Sequence, residues 1–221
     1  SYVSGQSLST LQSAISTDYA TYISLSTDTI GDVFGEDTAA NFANAVVSIH
    51  TDGDDNVRLS NSSEIVATFD GDDTIYSAGG NDKLIGGSGV DTFYGEAGND
   101  HLYGYRGDDN LSGGDGDDRI VGGLGNDKIL GGSGDDYILG QTDDDTISTG
   151  SGEDEVYGGS GDDVITVDGS GNKIINGGTG TDSLVVNTGS NRNLTDYVVT
   201  YDQSSQQITF TAENEVITVK D

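Results

Sequence analysis

An acidic residue recurs every nine residues through the middle of this chain of 221 residues. The spacing is unbroken over eleven aspartates, which are Asp73, Asp82, Asp91, Asp100, Asp109, Asp118, Asp127, Asp136, Asp145, Asp154 and Asp163. The series extends back to Asp55 through Glu64 and forward to Asn172. A fixed period of this kind is typical of a solenoid, in which each repeat forms one structural unit.

Two other positions of the repeat carry a constant residue type. An apolar residue follows each acid after one intervening residue, as in Val57, Val66, Ile75, Leu84, Phe93, Leu102, Leu111, Ile120, Ile129, Ile138, Ile147, Val156, Ile165 and Ile174. Glycine often stands two residues before the acid, as in Gly53, Gly71, Gly80, Gly89, Gly98, Gly107, Gly116, Gly125, Gly134, Gly152 and Gly161. The pattern predicts a strand of about three residues whose central side chain points inward, followed by a glycine-rich turn. Two strands and two turns close one coil, so that residues 18 apart stack in two columns.

The charge of the chain requires a counterion or disorder. The formal net charge is −31, from 39 acidic and 8 basic residues. Disorder is typical of such charge, but the apolar residue keeps its register for over 100 residues, which argues against it. Stacked carboxylates ~5 Å apart repel by roughly 3 kcal/mol at an effective dielectric near 20, so we expect a metal-free roll to be unstable. A divalent cation bound between the carboxylates replaces this repulsion with attraction. Nucleic acid, in contrast, is a poor partner for so acidic a surface.

The available ligands select the kind of ion. The chain has no cysteine and 2 histidines, so the ligands on offer are carboxylate and carbonyl oxygens, which suit Ca²⁺ or Mg²⁺ better than zinc or copper. Flexible glycine turns supply carbonyls without strict octahedral geometry, which favours Ca²⁺.

The repeat resembles a known family at the level of whole units. GGSGDDYIL, GGLGNDKIL and GGDGDDRIV resemble the RTX nonapeptide GGxGxDxUx, the hemolysin-type repeat of type I-secreted bacterial proteins. The resemblance covers about residues 51–185 and implies an all-β fold, a right-handed parallel β-roll. It also implies one Ca²⁺ between each pair of stacked turns, held by the repeated aspartates and by turn carbonyls. The resemblance further implies that the chain is secreted unfolded from a calcium-poor cytosol and folds outside the cell on meeting Ca²⁺.

Carried over residue by residue, the resemblance implies two columns of metal ligands. Asp73, Asp91, Asp109, Asp127, Asp145 and Asp163 form the first column, and Asp82, Asp100, Asp118, Asp136 and Asp154 form the second. The glycines from Gly71 to Gly161 named above are the candidate carbonyl ligands, and the gaps between turns predict about nine ions. Glu64 and Asn172 are expected to weaken the end sites, and Asp143, in place of glycine, puts the turn before Asp145 in doubt. The neighbouring acids Asp72, Asp108, Asp117, Asp135 and Asp162 are expected to face water.

The composition predicts three regions. Residues 1–50 form an N-terminal capping segment that is partly helical, with a first helix near Leu8, a strand at 19–26 and a second helix over 38–47. Residues 51–185 form the β-roll, with a one-residue slip of register at 170–180. Residues 186–221 form a small antiparallel β cap with strands at 197–201, 207–210 and 215–219.

The outer face of one predicted sheet is a candidate interaction surface. It combines basic and aromatic side chains, namely Lys83, His101, Arg119, Tyr103 and Tyr157. Such a surface suits a partner domain, an anionic glycan or a neighbouring copy. Alternatively, the cations relieve the acidic turns and the apolar side chains simply cover the sheet.

The sequence indicates a binding module rather than an enzyme. Neither HExxH nor GxSxG occurs, and no acid/base constellation can be assembled outside the repeat. The first hypothesis is a secreted Ca²⁺-binding module that folds on calcium binding and assists secretion of a larger toxin, exoenzyme or adhesin. The second is a surface adhesin or surface-layer module, and the third a polysaccharide-active β-solenoid enzyme. The chain is expected to be secreted or to lie at the cell surface, and no apolar run approaches the ~20 residues of a membrane span.

Overall fold

The structure, a computed structural model, describes residues 46–50, 52–187, 198–202, 207–212 and 215–220. Within these ranges the chain forms strands and no helix, and so contains no helix that could cross a membrane. The strands are β1 (Val46–Ile49), β2 (Asn56–Arg58), β3 (Glu64–Asp70), β4 (Thr74–Tyr76), β5 (Lys83–Ser88), β6 (Thr92–Ala97), β7 (His101–Arg106), β8 (Asn110–Asp115), β9 (Arg119–Leu124), β10 (Lys128–Ser133), β11 (Tyr137–Thr142), β12 (Thr146–Ser151), β13 (Asp154–Ser160), β14 (Val164–Val167), β15 (Lys173–Thr179), β16 (Ser183–Val186), β17 (Val198–Asp202), β18 (Gln207–Ala212) and β19 (Glu215–Lys220).

Alternate strands belong to alternate sheets. The first sheet has 11 strands in the order β1-β3-β5-β7-β9-β11-β13-β15-β19-β18-β17, and the second has 8 in the order β16-β14-β12-β10-β8-β6-β4-β2. Every neighbouring pair from β1 to β16 is parallel. The chain therefore winds from one sheet to the other and back, which confirms the predicted parallel β-solenoid.

The predicted stacking of residues 18 apart is confirmed through most of the roll. Lys128 pairs with Thr146, and Ile129 with Ile147. The strands are longer than predicted, commonly six residues, because pairing continues into the glycines, as at Gly132 and Gly150.

The core is a single file of apolar side chains between the two sheets. Most strands of the roll contribute one fully buried apolar side chain, and the residues on either side of it are more exposed on the outer faces, as at Ile120 and Ile138. The file runs through Val57, Val66, Ile75, Leu84, Phe93, Leu102, Leu111, Ile120, Ile129, Ile138, Ile147, Val156 and Ile165. Each such side chain contributes roughly 1.5–3 kcal/mol through removal from water, so the apolar position of the repeat is the main source of packing energy.

One extra residue changes the register near the end of the roll. Ser148 pairs with Thr166, 18 residues later, but Asp154 pairs with Lys173, 19 residues later. The predicted inward position of Ile174 is therefore wrong, because Ile175 takes the core position and is 1% exposed. The extra residue also means that Lys173, and not Asn172, stands opposite Asp154. The slip lies between Thr166 and Lys173, slightly earlier than the sequence suggested.

The ends of the roll agree in part with the sequence. The three C-terminal strands form an antiparallel unit as predicted, and β19 pairs in parallel with β15, placing the buried Ile217 in the core. At the other end, the helix expected over 38–47 is wrong at its last two residues, because Val46 and Val47 pair in β1 with β3. The remainder of that helix, the first helix and the strand at 19–26 lie outside the described residues.

Candidate metal centre

The eleven repeated aspartates line the turns between the sheets and are each at most 2% exposed. Members of the first column directly precede strands of the second sheet, as Asp91 precedes β6, and members of the second column lie at the start of strands of the first sheet, as Asp118 precedes β9. The structure thus brings the carboxylates together in the two columns that the sequence predicted.

One oxygen of each carboxylate is fixed by the backbone of the preceding turn. The Asp100 N–H donates to Oδ1 of Asp118 at 2.7 Å, and the Asp118 N–H donates to Oδ1 of Asp136 at 2.9 Å. The same bond, at 2.7–3.0 Å, reaches all eleven aspartates. Each N–H offsets part of the negative charge, so the carboxylates are held in position rather than left only to repel one another.

The other oxygen, Oδ2, is buried and accepts no hydrogen bond from the protein. This holds for Asp73, Asp82, Asp91, Asp100, Asp109, Asp118, Asp127, Asp136, Asp145 and Asp163. An ionised carboxylate buried in this way costs several kcal/mol unless a cation compensates it. The repeated orphan oxygen is therefore the strongest structural indication of bound cations.

Burial raises the pKa of these aspartates far above the ordinary value. The pKa rises to about 7 in Asp82, Asp91, Asp100, Asp109, Asp118 and Asp136, to about 6 in Asp127 and to about 8 in Asp145. Desolvation is the largest cause in each, and the backbone N–H bond opposes it. Without a cation, these carboxyl groups hold a proton close to neutral pH.

A carbonyl oxygen from the next turn lies beside the orphan Oδ2 of eight aspartates. A Cβ placed on Gly86 would overlap Oδ2 of Asp91 and would lie 2.8 Å from the carbonyl oxygen of Gly104. Both oxygens therefore border one small space, which we call the cradle, and only glycine at the position five residues before the aspartate leaves it open. Eight aspartates have this cradle, namely Asp91, Asp109, Asp127, Asp145 and Asp163 in the first column and Asp100, Asp118 and Asp136 in the second.

The cradles fit a hard cation with oxygen ligands. In the part of the chain that the structure describes, no three acidic, histidine or cysteine side chains converge on one point. An ion in a cradle must therefore combine carboxylate oxygens with backbone carbonyls, a mixed oxygen set that suits Ca²⁺. The residues that would hold it are the aspartate and the glycine-rich segment of the following turn.

The glycines two residues before each aspartate have the backbone conformation that requires glycine. Gly89 has φ +131°, and an added Cβ would overlap the carbonyl oxygen of Gly71 in the preceding turn. Asp143, which replaces this glycine, adopts φ 75°, a left-handed conformation that aspartate tolerates. Asp145 consequently keeps its place, with Oδ1 2.8 Å from the Asp127 nitrogen, so the doubt about this turn is removed.

Sequence reasoning missed the role of the cradle glycine and its three replacements. Thr68, Ser77 and Thr149 stand where the cradles of Asp73, Asp82 and Asp154 have glycine elsewhere, and all three are buried. The Ser77 hydroxyl donates its hydrogen to the Gly95 carbonyl at 2.5 Å and lies beside the carboxyl of Asp82. The Ser77 side chain thus occupies the space that glycine leaves open in the eight cradles. The signal was visible in the sequence as the missing first glycine of the unit.

A second polar ladder runs along the outside of the turns. The acids Asp72, Asp108, Asp117, Asp135 and Asp162 are exposed, as expected. However, their Oδ1 atoms also accept hydrogen bonds from backbone N–H groups of the following turn. The Asp135 N–H donates to Asp117 at 2.9 Å, and the Glu153 N–H donates to Asp135 at 2.8 Å. The inner and outer ladders therefore connect each turn to both of its neighbours.

The predicted interaction surface is less open than the sequence suggested. Lys83 was expected to face solvent but is 1% exposed, with its ammonium 4.9 Å from the Tyr103 ring centre. Arg119 lies 4.6 Å over the ring of Tyr137, and the Tyr157 hydroxyl donates to Glu155 at 2.5 Å. His101, Arg119, Tyr103 and Tyr157 are half-buried. Binding of a partner or glycan at this face stays a prediction.

Comparison with known proteins identifies the repeat. The family model of the RTX calcium-binding nonapeptide repeat matches residues 67–102, 94–129 and 130–165. No curated protein sequence matches the chain. Among solved structures, the chain is similar to the extracellular lipase LipA from Serratia marcescens, with 19% identity and a TM-score of 0.31 over 77% of this chain and 37% of the lipase. The chain thus spans little more than a third of that lipase.

Proposed function

Because residues 67–165 of this chain belong to the family of RTX calcium-binding nonapeptide repeats, we propose that the chain is a module whose folding is driven by calcium. The observation that carries the proposal is the row of buried aspartates whose Oδ2 atoms accept no hydrogen bond. Bound Ca²⁺ supplies the positive charge that these oxygens lack. The free energy of binding then becomes free energy of folding, because the unfolded chain does not assemble the ligands.

Each part of the turn has a separate task in this function. The backbone N–H of the preceding aspartate orients the carboxylate through Oδ1, as in Asp118. The cradle glycine, such as Gly113, keeps the space beside Oδ2 free of side-chain atoms. The carbonyl of Gly131, from the following turn, completes the approach to that space. Asp118 and Gly131 belong to successive turns, so together they would hold an ion in a way that favours the stacked form of the solenoid.

The glycine cradles favour eight ions rather than the about nine expected from the spacing. The first-column sites lie at Asp91, Asp109, Asp127, Asp145 and Asp163, and the second-column sites at Asp100, Asp118 and Asp136. Asp73 and Asp82 are not included, because Thr68 and Ser77 fill the corresponding positions with a side chain.

Two neighbouring aspartates allow a matched test of this assignment. Asp118→Asn keeps an oxygen for the Asp100 N–H but removes the charge of the buried Oδ2, whereas Asp117→Asn makes the same change at an exposed side chain. We expect calcium titration by calorimetry to show the loss of about one ion, or at least a tenfold weaker site, in Asp118→Asn only. Equal calcium binding by the two variants would contradict the proposal.

The cellular setting follows from the calcium requirement. Extracellular calcium modules commonly have Kd values of about 10⁻⁴–10⁻³ M, so a chain of this kind stays unfolded in a calcium-poor cytosol and folds outside. We propose that the module is secreted and acts within a larger protein. The test is secretion from cells in media with and without calcium: the folded, protease-resistant roll is expected only outside the cell and only with calcium. A protease-resistant roll inside the cell would contradict this setting.

A further inference from the structure

We propose that Lys173 is a resident cation, whose ammonium takes the place of a calcium ion at the C-terminal end of the second aspartate column. The inference rests on the proposed function, since it assigns the turn at Asp154 to the chain's own positive charge. It predicts that this turn binds no calcium and closes without it.

The contacts of the ammonium are those of a cation held by a ring of oxygens. Nζ lies 2.7 Å from Oδ2 of Asp154, 2.6 Å from the carbonyl oxygen of Gly152 and 3.1 Å from that of Ser170. Both charged side chains are fully buried. An ammonium has three N–H donors and no acceptor, so three oxygens satisfy it completely.

The partner of the ammonium is the atom that is orphaned at the other aspartates. Oδ1 of Asp154 accepts the Asp136 N–H at 3.0 Å, as elsewhere in the column, which leaves Oδ2 for a cation. In the preceding turns the next residue of the column is another aspartate, whereas at Asp154 the paired residue is Lys173. The positive charge therefore enters from the turn that would otherwise supply the next carboxylate.

Two local changes accompany the lysine and remove the calcium ligands. The backbone N–H of the preceding column aspartate donates to the carboxylate of the next one, as from Asp136 to Asp154, but the Asp154 N–H donates instead to the Asn172 carbonyl at 3.1 Å. Thr149 replaces the glycine of the cradle and is itself 0% exposed. An added cation, a lost carboxylate and a filled cradle thus coincide at one turn.

The position of Lys173 suggests what a permanent cation contributes. Lys173 begins β15, which pairs with β13 on one side and with β19 of the antiparallel unit on the other. A turn closed by its own ammonium gives the roll and this unit a junction that does not vary with calcium concentration.

Restoring the standard turn tests the inference directly. In the double variant Thr149→Gly/Lys173→Asp, an open cradle and a carboxylate return, and we expect calorimetry and equilibrium dialysis to count one more bound ion per chain than in wild type. The matched control is Thr149→Gly/Lys128→Asp, which makes the same change of charge at an exposed lysine of β10, and in which the count should not rise. An unchanged count in the first variant, or an equal rise in both, would overturn the inference.

A second measurement applies if the double variant does not fold. In calcium-saturated Lys173→Met, the amide hydrogens of Gly152 and Asp154 should exchange at least about tenfold faster than in Lys128→Met, because the cation that closes the turn is gone. Equal exchange in the two variants would overturn the inference. If wild type binds no calcium at all, the proposed function fails; if wild type binds calcium but the repaired turn gains no ion, only the role of Lys173 fails.

Discussion

Each repeated aspartate uses its two oxygens for different purposes. In Asp136, Oδ1 accepts the backbone N–H of Asp118, while Oδ2 faces the cradle beside Gly131. The first contact orients the carboxylate within the column, and the second creates the demand for a cation. Asparagine can replace the first oxygen but not the charge of the second, which is why Asp→Asn is the informative substitution.

A glycine variant tests how tightly successive turns approach one another. Gly134 has φ +125°, and a Cβ there would overlap the carbonyl oxygen of Gly116. We expect Gly134→Ala to lower the free energy of unfolding of the calcium-loaded chain by about 2–4 kcal/mol, from backbone strain together with overpacking. Ser133→Ala, at the exposed neighbouring residue, should change it by less than about 0.5 kcal/mol. Denaturant unfolding in saturating calcium measures both, and similar midpoints for the two variants would contradict the packing described.

The aspartate columns make the metal-free fold sensitive to pH. Burial raises the pKa of Asp100, Asp118 and Asp136 to about 7, above the ordinary value of 3.8, so between these two pH values the folded state holds more protons than the unfolded state. Stability is then lost as pH rises through about 7, since the group must ionise without a partner. In chelator, circular dichroism should show more β-structure at pH 5 than at pH 8.

Calcium should reverse this dependence. A carboxylate must lose its proton to bind the ion, so calcium affinity is expected to increase as pH rises from 5 to 8 and binding should release protons. Calorimetry in buffers of different ionisation enthalpy measures the release. A metal-free chain that gains β-structure as pH rises, or calcium binding without proton release, would show that the columns do not titrate as described.

The regular part of the molecule could be predicted from sequence, and the irregular part could not. The period of nine fixes the two sheets, the apolar core and both aspartate columns, because every repeat makes the same contacts with its neighbours. The exchange at Lys173 was missed, because the position of one extra residue between Thr166 and Lys173 depends on pairing with β13. The burial of Lys83 was missed as well, since the alternation of a strand alone assigns that side chain to the surface.

Across the whole molecule, the charge of −31 and the orphan oxygens both create a requirement for bound cations. The solenoid stacks its carboxylates along its length, so a shortage of cations affects all turns together. We therefore propose that calcium controls whether the roll forms, and not merely how stable one turn is. The outer ladder of Asp117 and Asp135 and the ammonium of Lys173 are calcium-independent contacts that act with the core.

The most direct measurement is far-ultraviolet circular dichroism of the purified chain at pH 7.5, first in chelator and then during addition of Ca²⁺, with Mg²⁺ as the control ion. We expect little β-structure in chelator, a cooperative gain of β-structure with Ca²⁺ and reversal on renewed chelation. Mg²⁺ should not substitute, because it demands a stricter octahedral geometry. A chain that shows the same β-structure in chelator as in calcium would contradict calcium-driven folding.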